Sequence, residues 1–417
     1  MVDFQVVTGL EGLKSLEASW RELTSRLARR CFYHEYDWFR SRLECLADPR
    51  AEPIFVQASL PDKTPVAIFP LLHARTRKGW MALSSLQIFW PCDMDINDFI
   101  MDNSQIDTDL IDLLIRHLRR QGRPHFDLLE LQNIPEESAI SDAMKSHSRP
   151  LTVTVRVHCS KYIALGKTYD ETTRSLSGKF KRNLRRELNN LVKSGEIEYA
   201  FFNDAADLEK AYETFLCVEE NSWKGPDGTG TAVILNEKQT NFYRELVSRF
   251  TRSNQCRIDV MTVSGKPVAV QLGIISGSTL NLLKIAYDKA YKRLAPGVLL
   301  LNKTLEIYSG HQQIKYISFI TGARWNDDWA PLVNKVYNHS IYQLTPAGLY
   351  GYTFESLKGL LCKVKRRYYS GTGLLSKRNG VMADSAARQN KSASQPHAWE
   401  NKVTSLRASP GNRASTG

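Results

Sequence analysis

Residues 280–307, LNLLKIAYDKAYKRLAPGVLLLNKTLEI, put an apolar strand-like run, a short basic loop and an apolar helix in direct succession. The helix opens at Ala295-Pro296-Gly297. Proline suits the first helical position, because the N–H it lacks would have found no intrahelical acceptor there. Gly297 removes the side chain that would hold a ligand away from the backbone. A first helical turn carries unpaired N–H groups and the positive end of the dipole, so it favours anions, phosphates above all. Lys292 and Arg293 add two cations just upstream. The pattern fits a seat for the pyrophosphate of a nucleotide-like cofactor. Pro-Gly also opens helices for turn geometry alone, and on local sequence both readings stand.

With 417 residues the chain is too long for one ordinary core and predicts two or three units. Its formal charge of +12 points to acidic partners. From Gly371 onward there are seven Lys/Arg and two acids, so 7 − 2 = +5 sits at one end and 12 − 5 = +7 remains elsewhere. That distribution argues against nucleic acid as the partner. Cys31, Cys45, Cys92, Cys159, Cys217, Cys256 and Cys362 are scattered, with no C-x-x-C and no Cys/His cluster. Neither a disulfide framework nor a metal site is expected, and reduced thiols fit a cytoplasmic protein. The first residues lack a signal-peptide pattern, and no apolar run approaches a membrane span.

Hydrophobic periodicity predicts an α/β chain. Helices are expected over residues 13–28, 36–46 and 107–121, with strands at 54–60, 66–74, 126–131, 153–157 and 162–165. A long helical pattern over 168–194 opens a second unit, followed by helices at 208–220 and 242–251. Strands at 257–263, 267–275 and 279–286 are joined by Ser264-Gly265-Lys266 and Ser276-Gly277-Ser278, which predicts an antiparallel meander. The helix at Pro296 and strands at 316–320 and 336–343 complete it. The expected division is residues 1–165, residues 166–350, a basic amphipathic helix at 351–370 and a disordered tail at 371–417. In that helix Phe354, Leu357, Leu360, Leu361 and Val364 share a face, among Lys358, Lys363, Lys365, Arg366 and Arg367. It suits docking on its own domain or peripheral contact with an anionic membrane.

Within the pattern over 168–194, residues 175–193 read as a second basic helix. Leu176, Phe180, Leu184, Leu188 and Leu191 make an apolar stripe. Lys179, Lys181, Arg182, Arg185, Arg186 and Lys193 face a single acid, Glu187. The i, i+4 pairs Lys181/Arg185 and Arg182/Arg186 repel by about 0.2–0.5 kcal/mol each. A bound anion or solvating counterions relieve that repulsion, so Arg182, Arg185 and Arg186 are substrate-binding candidates. With one aromatic in the segment, Phe180, it is poorly suited to single-stranded nucleic acid.

Several pieces fall into one family's order. They are Lys181-Arg182-Asn183-Leu184-Arg185-Arg186, Glu219-Glu220-Asn221-Ser222-Trp223-Lys224-Gly225, Lys284-Ile285-Ala286-Tyr287-Asp288, Pro296-Gly297-Val298-Leu299-Leu300 and Phe319-Ile320-Thr321-Gly322. Over about residues 162–329 the chain resembles the cellulose-biosynthesis-type branch of the GNAT acetyltransferase superfamily, found near bacterial exopolysaccharide genes. It is related to Fem-type transferases. The resemblance implies two tandem GNAT-like domains, each a mixed, mostly antiparallel sheet flanked by helices, the second holding acyl-CoA. A splayed strand would pair with the pantetheine arm (Leu283, Lys284, Ile285). The following loop and helix would hold the pyrophosphate (Lys292, Arg293, Pro296, Gly297, Val298). The sequence departs from the pattern in its phosphate loop, in Ser318 where an Asp is usual, and in Trp325-Asn326 where a Tyr-Lys pair is usual.

Acyl transfer needs a base for the nucleophile's proton, donors for the oxyanion and an acid for the thiolate. No Ser/His/Asp or Cys/His signature favours a covalent intermediate, so direct transfer is expected. Glu219 is the first candidate base, Asp288 the second, and Tyr287 the acid. Trp223 and Lys224 are candidates for the acceptor pocket, and lone His339 reads as structural. The expected activity is acyl-CoA-dependent N- or O-acyl transfer, acetyl foremost, to a sugar-containing acceptor in exopolysaccharide or envelope assembly. The rivals are a Fem-type aminoacyltransferase using aminoacyl-tRNA and a non-catalytic GNAT-fold protein in a polysaccharide assembly complex. No sustained heptad stretch supplies the coiled-coil arm usual in the former.

Overall fold

A computed structural model describes residues 2–46, 48, 52–89, 95–102, 104, 109–122 and 124–371, with 205 and 362–371 as backbone alone. The tail expected from residue 371 thus lies outside the described residues from 372 on.

In the first half, β1 (Asp3–Thr8) leads through α1 (Gly9–Ser15), α2 (Glu17–Arg26) and α3 (Tyr36–Leu46) to β2 (Pro53–Ser59), β3 (Pro65–Lys78) and β4 (Met81–Ile88). Short β5 (Ile100–Met101), α4 (Leu110–Gln121), β6 (Leu128–Pro135), α5 (Ala139–Ser146) and β7 (Thr152–Ala164) follow. Then come α6 (Tyr169–Thr172) and α7 (Gly178–Val192), and the plan repeats. β8 (Ile197–Phe202), α8 (Ala205–Glu220), α9 (Glu237–Arg252), β9 (Cys256–Val263), β10 (Lys266–Ser276) and β11 (Thr279–Tyr287) precede α10 (Pro296–Tyr308). The last elements are β12 (Tyr316–Ser318), β13 (Leu332–Tyr342) and α11 (Pro346–Gly371).

The strands of the described residues join one 13-stranded sheet, ordered β1-β2-β3-β4-β6-β13-β7-β12-β11-β10-β9-β8, with β5 on β3. The order has the same logic from either end. Four antiparallel strands lead to a parallel pair, β4–β6 in one half and β11–β12 in the other. The centre is an exchange. β7 ends the first half in sequence yet pairs with β12 of the second, while β13 ends the second half yet pairs with β6 of the first. β7 and β13 then pair with each other over Leu332↔Tyr162 to Ile341↔Thr152. The sheet is mixed α/β, mostly antiparallel and consistent with two tandem GNAT-like halves.

The two faces are packed differently. On one, α2, α3, α8 and α9 bury a single aromatic-rich core containing Trp20, Trp38 and Phe55 with Tyr212, Phe242 and Phe250. Trp38 of α3 meets Phe242 of α9 edge-to-face at 5.6 Å, so the halves share that core. The opposite face carries two separate cores, one under α4 with Leu114 and Ile341, one under α10 with Leu300 and Ile163. Following the β7–β13 register through its bulge puts Ile341 and Ile163 on that same face.

Several expectations need correction. The helical pattern over 168–194 breaks at Thr173–Ser177, because Ser177 starts a new helix by accepting Phe180 N–H at 3.1 Å. Leu188 of its stripe is exposed, since only Leu184 and Leu191 in α7 are buried. Residues 13–28 form two helices broken at Leu16. The segments at 153–157 and 162–165 are one strand, β7, kinked by a bulge at Val157.

Candidate functional site

β10 and β11 form the expected meander with β9, and β11 then parts from its other neighbour. Its parallel ladder with β12 covers only Thr279↔Tyr316, Leu280↔Ile317 and Asn281↔Ser318. From Leu282 to Tyr287 that edge of β11 carries no strand among the described residues. The facing register jumps from Leu272↔Lys284 to Gly273↔Leu282, leaving Leu283 as the extra residue of a bulge. An unpaired edge offers N–H and C=O groups to an extended ligand. Leu283, Lys284 and Ile285 lie on this stretch.

The edge leads straight to an open helix end. A 3-10 turn, Lys289–Leu294, holds Lys292 and Arg293 exposed and ends at Ala295 in the left-handed region (φ 48°). α10 follows with Pro296 at its start and no side chain capping it. The reversal at Ala295 aims the first turn, Gly297 and Val298, back toward the end of β11: a Cβ on Gly297 would lie 3.2 Å from Tyr287 Cδ1. α7 packs along α10 and the 3-10 turn. Arg182, Arg185 and Arg186 are exposed on it, so the structure brings the basic helix alongside the proposed phosphate seat.

The segment after α8 closes over the same strand. Glu219 is 0% exposed. Its Oε1 accepts from Lys224 Nζ at 2.7 Å and its Oε2 from the Val233 N–H at 2.8 Å. Lys224 Nζ also donates to the Ile285 carbonyl at 2.9 Å, tying this segment to the middle of the open stretch. Gly225 is required by close approach, since a Cβ would fall 1.8 Å from the Glu220 carbonyl oxygen. Trp223 stands partly exposed, its ring 4.9 Å from that of Tyr287. Tyr287, at the strand end, therefore meets the covering segment through Trp223 and leaves no free space beside Gly297 in the first turn of α10.

Asp288 caps the 3-10 turn by accepting from Ala290 N–H at 2.9 Å and pairs with Lys266 Nζ at 2.8 Å. Burial works to raise its carboxyl, but Lys266 and the Ala290 N–H outweigh burial and hold it below the usual carboxylate value. Lys284 turns the other way, its Nζ 5.1 Å from the ring of Tyr243 on α9. Ile320 lies within the Phe319-Ile320-Thr321-Gly322 motif. It is β-branched yet sits in the left-handed region at φ 65°, its N–H donating to Ser318 Oγ at 3.1 Å, where β12 ends. No pattern in one sequence announces such a residue. Among the described residues no group of three His, Cys, Asp or Glu is placed to hold a metal.

Residues 178–329 match the family model of the acetyltransferase (GNAT) domain, a span that begins with α7 and takes in the open edge and α10. This segment is a GNAT acyltransferase domain. The GNAT domain thus carries every candidate residue named above, and its fold binds acyl-CoA as a class. No curated protein sequence matches the chain. Among solved structures, FemX is similar at 8% identity with a TM-score of 0.52, covering 82% of this chain and 97% of its own. At that identity the likeness is one of fold, and it extends over both halves. A tandem GNAT protein from the clavulanic acid biosynthesis pathway aligns at 11% identity and TM-score 0.44, covering 81% of this chain and 98% of its own. L-PGS from Bacillus licheniformis aligns at 11% and 0.44, covering 72% and 88%.

Proposed function

We propose that the GNAT domain transfers an acyl group, acetyl foremost, from acyl-CoA to an amine or hydroxyl of a sugar-containing acceptor. The setting would be exopolysaccharide or envelope assembly on the cytoplasmic side. The observation that carries the donor half is the run of β11 past Asn281 as an open edge that ends at the uncapped, cation-flanked start of α10. An extended amide-bearing arm pairs with such an edge, and a pyrophosphate suits the first turn beyond it. The sugar acceptor rests on the resemblance to the cellulose-biosynthesis-type branch, on which motif pieces from α7 to Gly322 fall in order.

In this reading the acceptor attacks the thioester carbonyl, the C–S bond breaks, and the thiolate leaves with a proton from Tyr287. Asp288, ionised at neutral pH, takes the acceptor's proton, and its low basicity limits that contribution. Glu219 acts as a positioning residue: it is buried against Lys224 and fixes the segment that covers β11. The test is calorimetric titration of acetyl-CoA and CoA into wild type, Gly297→Ala and Gly297→Glu. The alanine reports the 3.2 Å contact with Tyr287 alone, and the glutamate adds a negative charge at the phosphate seat. Loss of affinity on the order of 100-fold in the glutamate variant only is expected, about 2.7 kcal/mol. Equal affinity in all three would overturn the assignment, and absence of binding by folded wild type would move the search to aminoacyl donors.

A further inference from the structure

α11 changes character along its length. Up to Ser356 one side of it is packed, although Leu349 on the other is 43% exposed. Tyr350 meets Trp80 at 5.0 Å, Tyr352 meets Tyr342 at 6.1 Å, and Glu355 pairs with Lys78 at 3.4 Å. Gly351 is so close to its neighbours that a Cβ would lie 2.6 Å from Leu83 Cδ2. Beyond Ser356 the apolar residues are bare: Leu357 is 56% exposed, Leu360 58% and Leu361 68%. The helix nonetheless continues without a break to Gly371.

A single exposed leucine is ordinary. Three at i, i+3 and i+4 make a stripe, and the sequence continues the spacing with Val364 and Tyr368. Residues 357–371 also contain Lys358, Lys363, Lys365, Arg366 and Arg367 and no acid. That charge decides between occupants. A second copy of the helix would bring five more like charges against these five. An anionic bilayer takes both features at once, the leucines at the headgroup–acyl boundary and the cations among the headgroups. No helix of the described residues is long and apolar enough to cross a membrane, so the fitting geometry lies in the interface plane.

We propose that residues 357–371 of α11 dock the protein on an anionic lipid bilayer. The inference is independent of the donor and acceptor assigned above. It is tested by co-sedimenting the full-length protein with phosphatidylcholine vesicles and with equal mixtures of phosphatidylcholine and phosphatidylglycerol. Wild type is expected on the mixed vesicles, at least tenfold more weakly on phosphatidylcholine, and with attraction reduced by added salt. The triple substitution Leu357→Ser, Leu360→Ser, Leu361→Ser removes exposed groups only, so it should unfold at the wild-type temperature while losing tenfold or more in vesicle binding. Lys358→Glu is expected to weaken binding about fivefold or more. The proposal fails if wild type stays in solution or binds both vesicle types equally. It also fails if the triple variant binds as well as wild type, since charge elsewhere would then carry the attraction. A wild-type dimer that the triple variant converts to monomer without lipid would assign the stripe to a second copy instead.

Discussion

The first halves of the two repeats differ little, but the elements around their parallel pairs differ in what they leave open. β11 runs six residues past its last parallel pairing, Asn281↔Ser318, to Tyr287. β4 runs one residue past Gln87↔Glu130, to Ile88. The helix that follows differs in the same sense. α10 starts uncapped beside Lys292 and Arg293. α4 starts at Asp109, whose carboxylate accepts from the N–H groups of Ile111 and Asp112 and pairs with Arg149. In one half the helix supplies its own anion, and in the other no side chain does so, which is the place the proposed function gives to a ligand. On the proposed function, a duplicated fold would thus keep its sheet in both copies and a donor site in one.

The largest expected effect tests the self-supplied anion. Arg149 has a side chain only 4% exposed, and burial lowers its guanidinium to about 10. Asp109→Ala should cost about 3 kcal/mol in urea unfolding, by removing the cap of α4 and one of the two carboxylates on buried Arg149, Asp112 keeping the other, with acetyl-CoA affinity unchanged. A parallel fall in affinity would make the first half part of the donor site and end the contrast. A smaller effect belongs to the seam. His339 on β13 is lowered to about 4, by burial first and then by Arg149, against about 6.5 unfolded. It stays neutral when folded, while the unfolded chain takes up a proton below about 6.5, so stability is full above that pH and falls toward pH 4. The loss is on the order of 2–3 kcal/mol and should flatten in His339→Gln. One calorimetric transition across that range would mean the halves melt together, and two would separate them. The smallest effect converts one half toward the other. Ala295→Asp places a carboxylate at the start of α10, at a backbone geometry Asp tolerates, and should weaken CoA binding about tenfold by titration.

Much of the second half was legible because local chemistry governs it. The glycine turns at Gly265 and Gly277 defined the β9–β10–β11 meander, and Pro296-Gly297 marked the start of α10. Gly122, at φ 66°, marked the end of α4 equally well. What stayed hidden depends on distant partners. The sequence offers Glu219 as the first candidate base, while its Lys224 and Val233 partners come from a segment whose path only the tertiary fold sets. β1 and β8, the outermost strands, are mostly exposed or half-buried, and neither shows a clean apolar–polar alternation. Leu188 obeyed the helical period but lies past the surface that α7 covers. The exchange of β7 and β13 has no local signature, since either strand would have looked the same had it stayed with its own half.

That exchange has a consequence during synthesis. The sheet of the first half gains its inner neighbour only when residues 332–342 have left the ribosome, some two hundred residues after β6 has been made. Until then β6 presents a buried-type edge to whatever else is nearby, and the nascent chain has no finished intermediate at which to pause. A stop codon anywhere between the two halves should therefore yield an aggregating fragment rather than a smaller working protein.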